Sequence, residues 1–314
     1  MAEAPPLPPL FQEVELSSAE DLLDEFTQHR GRHLWDREAD RDDWVFRGQP
    51  DARMDLKPKA QRGGREFFPF MPLLAEPREW KLWQRRAIEH DLVAEFCTHV
   101  TFHGMEVPGD SQRLRAAHGM DLSPFEFPPQ EWLGMYALAQ HYGVPTRLLD
   151  WTFSRHVACY FACREPAERE TGGRSRFAVW ALQRSLIDNV LRTLSPGAIL
   201  VTVPTSSNPN LAAQQGLFTL VQFLQEVEFS RTRAEAGDIP PLDALVQEPF
   251  VVARAREEGA LLPLPMLFKF TVPVGQARRL LALLDGLNVN AARLYPGHRG
   301  VVEYMRERRF YRGG

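Results

Sequence analysis

Cysteine and lysine are both scarce in this chain. Its 314 residues hold three Cys, at 97, 159 and 163. That is too few for a disulfide framework, and no CxxC pair points to structural zinc. Cys159 and Cys163 sit four apart in an apolar helical run and read as small buried residues. Only four of the 37 basic residues are Lys, and the remaining 33 are Arg. Positive charge is not in excess either. The balance is 37 against 41, a net charge of −4, which excludes a global cationic field for nucleic acid or a membrane surface. No apolar run approaches the ~20 residues that span a bilayer. The opening residues have neither a basic nor an apolar signal segment, so the expectation is a cytoplasmic protein without a membrane partner. A glycine-rich dinucleotide fingerprint, a phosphate-binding Walker loop and internal repeats are all missing.

The remaining composition is that of an ordinary globular protein, 44% hydrophobic and 25% charged. The arginine excess supplies many planar groups able to grip phosphate through two oxygens at once. Residues 1–14 are expected to form a leader, Pro-rich over the first ten, ahead of one domain spanning 15–314. Ser17 to Glu20 reads as a capping box for a helix with Leu22, Leu23 and Phe26 on its apolar face. Trp44-Val45-Phe46 is a short β-prone run that should stop at Arg47. Residues 51–78 and 104–130 are Pro- and Gly-punctuated excursions. Between them, Trp80, Trp83, Ala87, Leu92, Phe96 and Val100 give residues 79–100 a helical stripe. Helices follow at Glu131 to His141 and at 154–163. The pattern then changes to strands at Phe177–Leu182, Ile199–Val203, Phe218–Leu224 and Met266–Val272. Two helices close the chain, near 276–285 and 299–309. Helices around one early strand, then strands, then helices indicate an α+β fold.

Three segments could carry chemistry. Trp44 to Gln49 brings a guanidinium to a strand terminus, with Gly48 allowing a close approach. Arg47 there suits a pyrophosphate or ribose phosphate, or else pins a loop carboxylate. The run Leu138 to Ser154 packs His141, Tyr142, Thr146, Arg147, Asp150, Trp151, Thr152 and Ser154 between two apolar helices. Arg147 and Asp150 form an ion pair in one reading, and Asp150 or Ser154 caps the next helix in another. Trp151 and Tyr142 suit core positions as readily as stacking ones. His141 has no Ser or Cys nucleophile motif beside it, so a hydrolytic triad lacks support. Gln214-Gln215-Gly216 leads from a Ser/Asn/Pro loop, 206–210, into a strand, where either a site residue or a plain hairpin start fits.

Taken together, these segments resemble the FRG domain family, named for Phe-Arg-Gly, here Phe46-Arg47-Gly48. The family signature around LAQHYGLPTRLLDWT is matched by Leu138 to Thr152, with Val144 where Leu is usual. The apolar helix after it ends in Tyr160-Phe161-Ala162. A later Gln-x-Gly-x-Phe element is matched by Gln214, Gly216 and Phe218, and a closing element loosely by Leu294 to Val302. Pro145 to Trp151 is a seven-residue identity that chance does not readily give, and the likeness covers about 15–310.

The resemblance in turn implies a likeness to the Arg-Ser-Glu class of ADP-ribosyltransferases: a split mixed or antiparallel sheet with surrounding helices, and NAD as substrate with no metal. Carried over, Arg47, Gly48, Gln49, His141, Tyr142, Arg147, Thr152 and Ser154 would bind NAD. Gln214, Gln215, Glu303 and Asp150 are the catalytic candidates. Glu226 and Glu228 have the spacing of the family's acidic pair without its context. The implied acceptor is a protein or nucleic acid, and a toxin or phage-defence role implies an antitoxin or immunity partner. Two other readings stand beside this one. One is a nucleotide- or nucleic-acid-binding module without turnover. The other is a hydrolase or nuclease built on Asp150 and His141, for which only one carboxylate is in view.

Overall fold

The structure is a computed structural model, and it describes residues 9–27, 43–62, 65–67, 69–70, 82–107, 127–169, 175–203, 209–223, 239–258 and 265–312. Seven strands form one sheet: β1 (Phe11–Glu15), β2 (Trp44–Gln49), β3 (Leu149–Thr152), β4 (Arg176–Gln183), β5 (Gly197–Val201), β6 (Gly216–Gln222) and β7 (Leu267–Pro273). Their order is β1-β7-β4-β2-β3-β6-β5. Only β1 and β7 pair in parallel; the other neighbours are antiparallel. The longer helices are α1 (Ala19–Thr27), α2 (Leu82–Phe102), α3 (Leu133–His141), α4 (Arg155–Arg169), α5 (Pro249–Glu258), α6 (Ala277–Gly286) and α7 (His298–Arg312). The fold is α+β, as the order of patterns in the sequence predicts.

One interior strand explains why the sheet is covered on both sides. Strand β4 alternates along its length. Phe177, Val179 and Ala181 join a cluster with Phe46, Phe268 and Phe270 under α1, α4 and α6. Ala178, Trp180 and Leu182 join the opposite cluster with Val45, Trp151 and the turns at 186–191. Successive strand side chains point to opposite faces, so a strand apolar at every position must be buried twice. A third cluster sits where α2 and α3 meet Val201, Phe218 and Leu220 of β5 and β6.

Several sequence-based expectations need correction. Residues 11–15 belong to the sheet rather than to a leader, because Phe11 to Glu15 make a full ladder with Leu267 to Thr271, and Phe11 stacks on Trp180 at 5.9 Å. The Trp44 run continues through Arg47, Gly48 and Gln49, since β4 offers all six residues a partner. Leu149 to Thr152 is a strand, paired with Gly216 to Thr219, where an interhelical turn was expected. In α2 the expected apolar stripe is only partly the buried face. Trp83 is 64% exposed, while Arg86, Glu89 and His90 are buried beside Val93. Much of the predicted 104–130 excursion, all of 71–78, and Glu226 and Glu228 lie outside the described residues.

Candidate functional site

The site begins at a gap between two strands. β2 and β3 share a single paired position, Phe46 with Thr152. Beyond it, a cleft of about 440 Å³ is lined by Phe46, Arg47, Gly48 and Lys59 on one side and by Asp150, Trp151 and Thr152 on the other. Gln140 and His141 of α3, Phe161 and Glu165 of α4, Gln214, Gly216 and Phe218 at the start of β6, and Tyr295 complete the wall.

Arg47 bridges the gap. Its Nη1 donates to the Asp150 carbonyl at 2.7 Å and lies 3.5 Å from Asp150 Oδ2. The Arg47 side chain is 13% exposed and that of Asp150 61% exposed. Arg47 Nε is buried without a partner. Burial pulls the Arg47 pKa below its ordinary value; Asp150 opposes that shift and nearby Arg62 adds to it. Arg62 is lowered by burial too, opposed by Glu66 and Asp150, and its Nε donates to the Lys57 carbonyl at 2.7 Å. Arg47 and Lys59 thus line the cleft together with the carboxylates Asp150 and Glu165, and Arg62 acts on Arg47 and Asp150 from nearby.

Gly48 lets α4 lie directly on β2. A Cβ at this position would stand 2.0 Å from the Ala158 carbonyl oxygen and 2.4 Å from the Ala162 nitrogen. No side chain fits, and the glycine brings Phe161 and Glu165 of α4 to the cleft wall.

The late element is clamped to β3. Thr152 Oγ1 donates to the Gln214 carbonyl at 2.6 Å and accepts from Ser154 N at 3.0 Å. Ser154 Oγ accepts from Val157 N at 3.4 Å, the hydrogen bond of a helix cap. Gln214 Nε2 donates to the Leu294 carbonyl at 3.3 Å. His141 Nε2 shares a hydrogen bond with the side-chain amide of Asn210 at 2.9 Å. Burial lowers the His141 pKa, with Asp150 opposing.

Of the residues singled out in the sequence, the structure thus gathers Arg47, Gly48, His141, Asp150, Thr152 and Gln214 around one cleft. It assigns others elsewhere. Gln49 is buried, accepting from Trp180 Nε1 at 2.7 Å and donating to the Asp55 carbonyl at 3.1 Å. Arg147 does not pair with Asp150. It is buried against Glu89 of α2 at 2.6 Å and lies over the Phe127 ring at 4.3 Å. Asp150 sits in β3 and caps no helix; Ser154 does that. Tyr142 is 68% exposed and stacks on Phe96 at 6.1 Å. Gln215 takes a left-handed φ of 50°, and its carbonyl accepts from Phe153 N at 3.1 Å. Glu303 pairs with Arg164 at 3.0 Å and Arg306 at 2.9 Å, and neither it nor Gln215 lines the cleft.

Sequence reasoning assigned no role to Lys59, Gln140, Phe161, Glu165 or Tyr295. Gln140 carried a usable signal. With His141 it is one of the two polar residues that follow the buried run Met135 to Ala139, at the end of the helix before the motif. Among the described residues, no cluster of three or more His, Cys, Asp or Glu could hold a metal ion, and no helix is long and apolar enough to cross a membrane.

No curated protein and no solved structure matches the chain. One family model, described as FRG domain, matches residues 42–171. That stretch contains α2 and also β2, α3, β3 and α4, which supply Arg47, Gln140, Asp150, Thr152 and Glu165 to the cleft. Its Phe46-Arg47-Gly48 motif supplies the cleft's guanidinium and the helix contact beside it, and it is this stretch, residues 42–171, that matches the FRG domain.

Proposed function

We propose that the chain is an NAD-dependent ADP-ribosyltransferase of toxin or phage-defence type, working in the cytoplasm, with its dinucleotide in the cleft between β2 and β3. The observation carrying this reading is Arg47: a largely buried guanidinium, fixed on one side by Asp150, unpartnered at Nε, and flanked by Arg62 and Lys59. Three cations stand here around the Asp150 carboxylate, and a pyrophosphate fits such a cluster through paired oxygens. A volume of about 440 Å³ falls within the ~300–1,000 Å³ range of small-ligand sites. Further support is the likeness to the Arg-Ser-Glu class, whose Ser/Thr segment corresponds here to Thr152 and Ser154 at the end of β3.

In this reading the nicotinamide–ribose bond breaks with its electron pair leaving on nicotinamide, and a nucleophile of the protein or nucleic-acid acceptor captures the ribosyl cation. Positioning and one negative group suffice for such a step. Asp150 supplies a carboxylate in the cleft, and Gln214 occupies the late position. Full chain incubated with nicotinamide-labelled NAD should release nicotinamide, with faster release on Gln214→Glu, because a carboxylate there stabilises the developing cation. A preorganised group of this kind is worth roughly 3 kcal/mol.

The amide of Gln214 at that position favours a second reading, a binding module for nucleotides. Saturable NAD binding with no release in either protein would select it. Nucleic-acid cleavage without NAD would select the hydrolase instead.

A further inference from the structure

The cleft holds one side chain whose bonds serve its neighbours. Gln140, at the end of α3, donates from Nε2 to Asp150 Oδ1 at 2.7 Å. Its Oε1 accepts from the hydroxyl of Thr146. Asp150 in turn holds Arg47 Nη1 through its carbonyl and its other carboxylate oxygen. Thr146 is fully buried, whereas the Asp150 side chain is 61% exposed. An exposed carboxylate left alone samples solvent; this one is held against a buried guanidinium by an amide that is anchored by a buried hydroxyl. The anchor is rigid, because the next residue, Arg147, bonds Glu89 of α2 through both its backbone N, at 2.7 Å, and its guanidinium, at 2.6 Å.

We propose that Gln140 is a positioning residue for Arg47, acting through Asp150: it fixes the carboxylate that fixes the guanidinium. This rests on the reading of the cleft as an anion site, but the relay is testable without NAD.

The substitution Gln140→Glu keeps the acceptor for Thr146 and replaces the donor to Asp150 by a second carboxylate. Two carboxylates at that distance repel each other, so the pair takes up a shared proton on acidification at a higher pH than a lone carboxylate does. The charged and titratable groups facing the pair are Arg47 and Lys59 near β2, Arg62, His141 of α3, Glu165 of α4 and Tyr295. The readout is the 15N-resolved guanidinium resonances of Arg47 in the full chain. Rotation about its Cζ–Nη1 bond is restrained while Asp150 holds it.

Wild type should give slowly rotating, resolved Arg47 signals at both about pH 7.5 and about pH 5. In Gln140→Glu they should average at the higher pH and return at the lower, where the shared proton restores a hydrogen bond. Unchanged Arg47 signals at the higher pH would overturn the proposal. So would averaging that acidification does not reverse, because that is the mark of a general packing role. Should Gln140→Glu not fold, Thr146→Val removes the anchor instead, and unaltered Arg47 signals there would likewise overturn it. NAD added to the same samples reads the proposed function separately: absence of NAD binding removes that function and leaves the relay standing.

Discussion

At the scale of single residues, the chain uses arginine in two opposite ways. Arg147 is buried and paired with Glu89, which accepts from both its backbone and its guanidinium. Arg86 beside them is pulled down to a pKa of about 9 by burial and by Arg147, with Glu89 opposing. Removing one partner of a buried pair strands the other charge, at a cost of roughly 3–5 kcal/mol. Glu89→Gln should therefore lower the unfolding free energy by about that amount in denaturant titrations, and a loss within error would refute the assignment of Arg147 to the core. Arg47, by contrast, lies on the wall of a cleft, where its unpartnered Nε is within reach of a ligand site. Nothing in composition or spacing separates these two arginines, because the difference lies in what α2 brings to one and not to the other. His141 behaves differently again. Its neutral form is favoured in the fold, so at acid pH the unfolded chain binds the proton first. Its contribution to stability is full above the ordinary histidine value of 6.5 and is lost as pH falls from there through the lowered folded value. His141→Gln should flatten part of the decline in melting temperature below that pH, and an identical profile in the variant would contradict a His141 held neutral by burial.

At the scale of elements, the contact of β2 with α4 sets the architecture of the cleft. Gly48 allows backbone-to-backbone approach, and Gly48→Ala requires a helix to move rather than a side chain to turn. Overpacking of this kind costs at least about 1–3 kcal/mol. The variant should melt lower and lose ligand affinity together. Normal stability with lost binding would instead make Gly48 a purely ligand-facing residue. Elements held by local pattern were legible in the sequence: α1, α3, α6, α7 and strands β4, β6 and β7 fall close to their expected bounds. Those held by distant partners were not. β1 is five residues beside a Pro-rich stretch and exists because β7 pairs with it. β3 is four residues wedged between two helices and needs β6, more than 60 residues later, to form. The inward face of α2 was misread because its buried residues include Arg86, Glu89 and His90, which hydrophobic periodicity counts as solvent-facing.

Across the whole molecule, the cleft is assembled from both sides of the family match. Arg47, Gln140, Asp150 and Thr152 lie within 42–171, whereas Gln214, Gly216, Phe218 and Tyr295 come from the second half of the chain. The motif residues were legible as a group, because they cluster in two short runs. Which of them face the cleft and which the core was not, since Gln49 and Arg147 are turned inward by Trp180 and Glu89, partners 131 and 58 residues away. The account as a whole stands on Arg47 as the anchor of a dinucleotide, and calorimetric titration of NAD into the full chain and into Arg47→Lys tests it most directly. Lysine keeps the charge but not the planar fork, so it forfeits a charge-assisted hydrogen bond worth roughly 1.5–3 kcal/mol. One saturable site in the wild type, weakened about tenfold or more by the substitution with melting temperature preserved, is the predicted result. Equal affinity in the two proteins, or no binding to either, would contradict it.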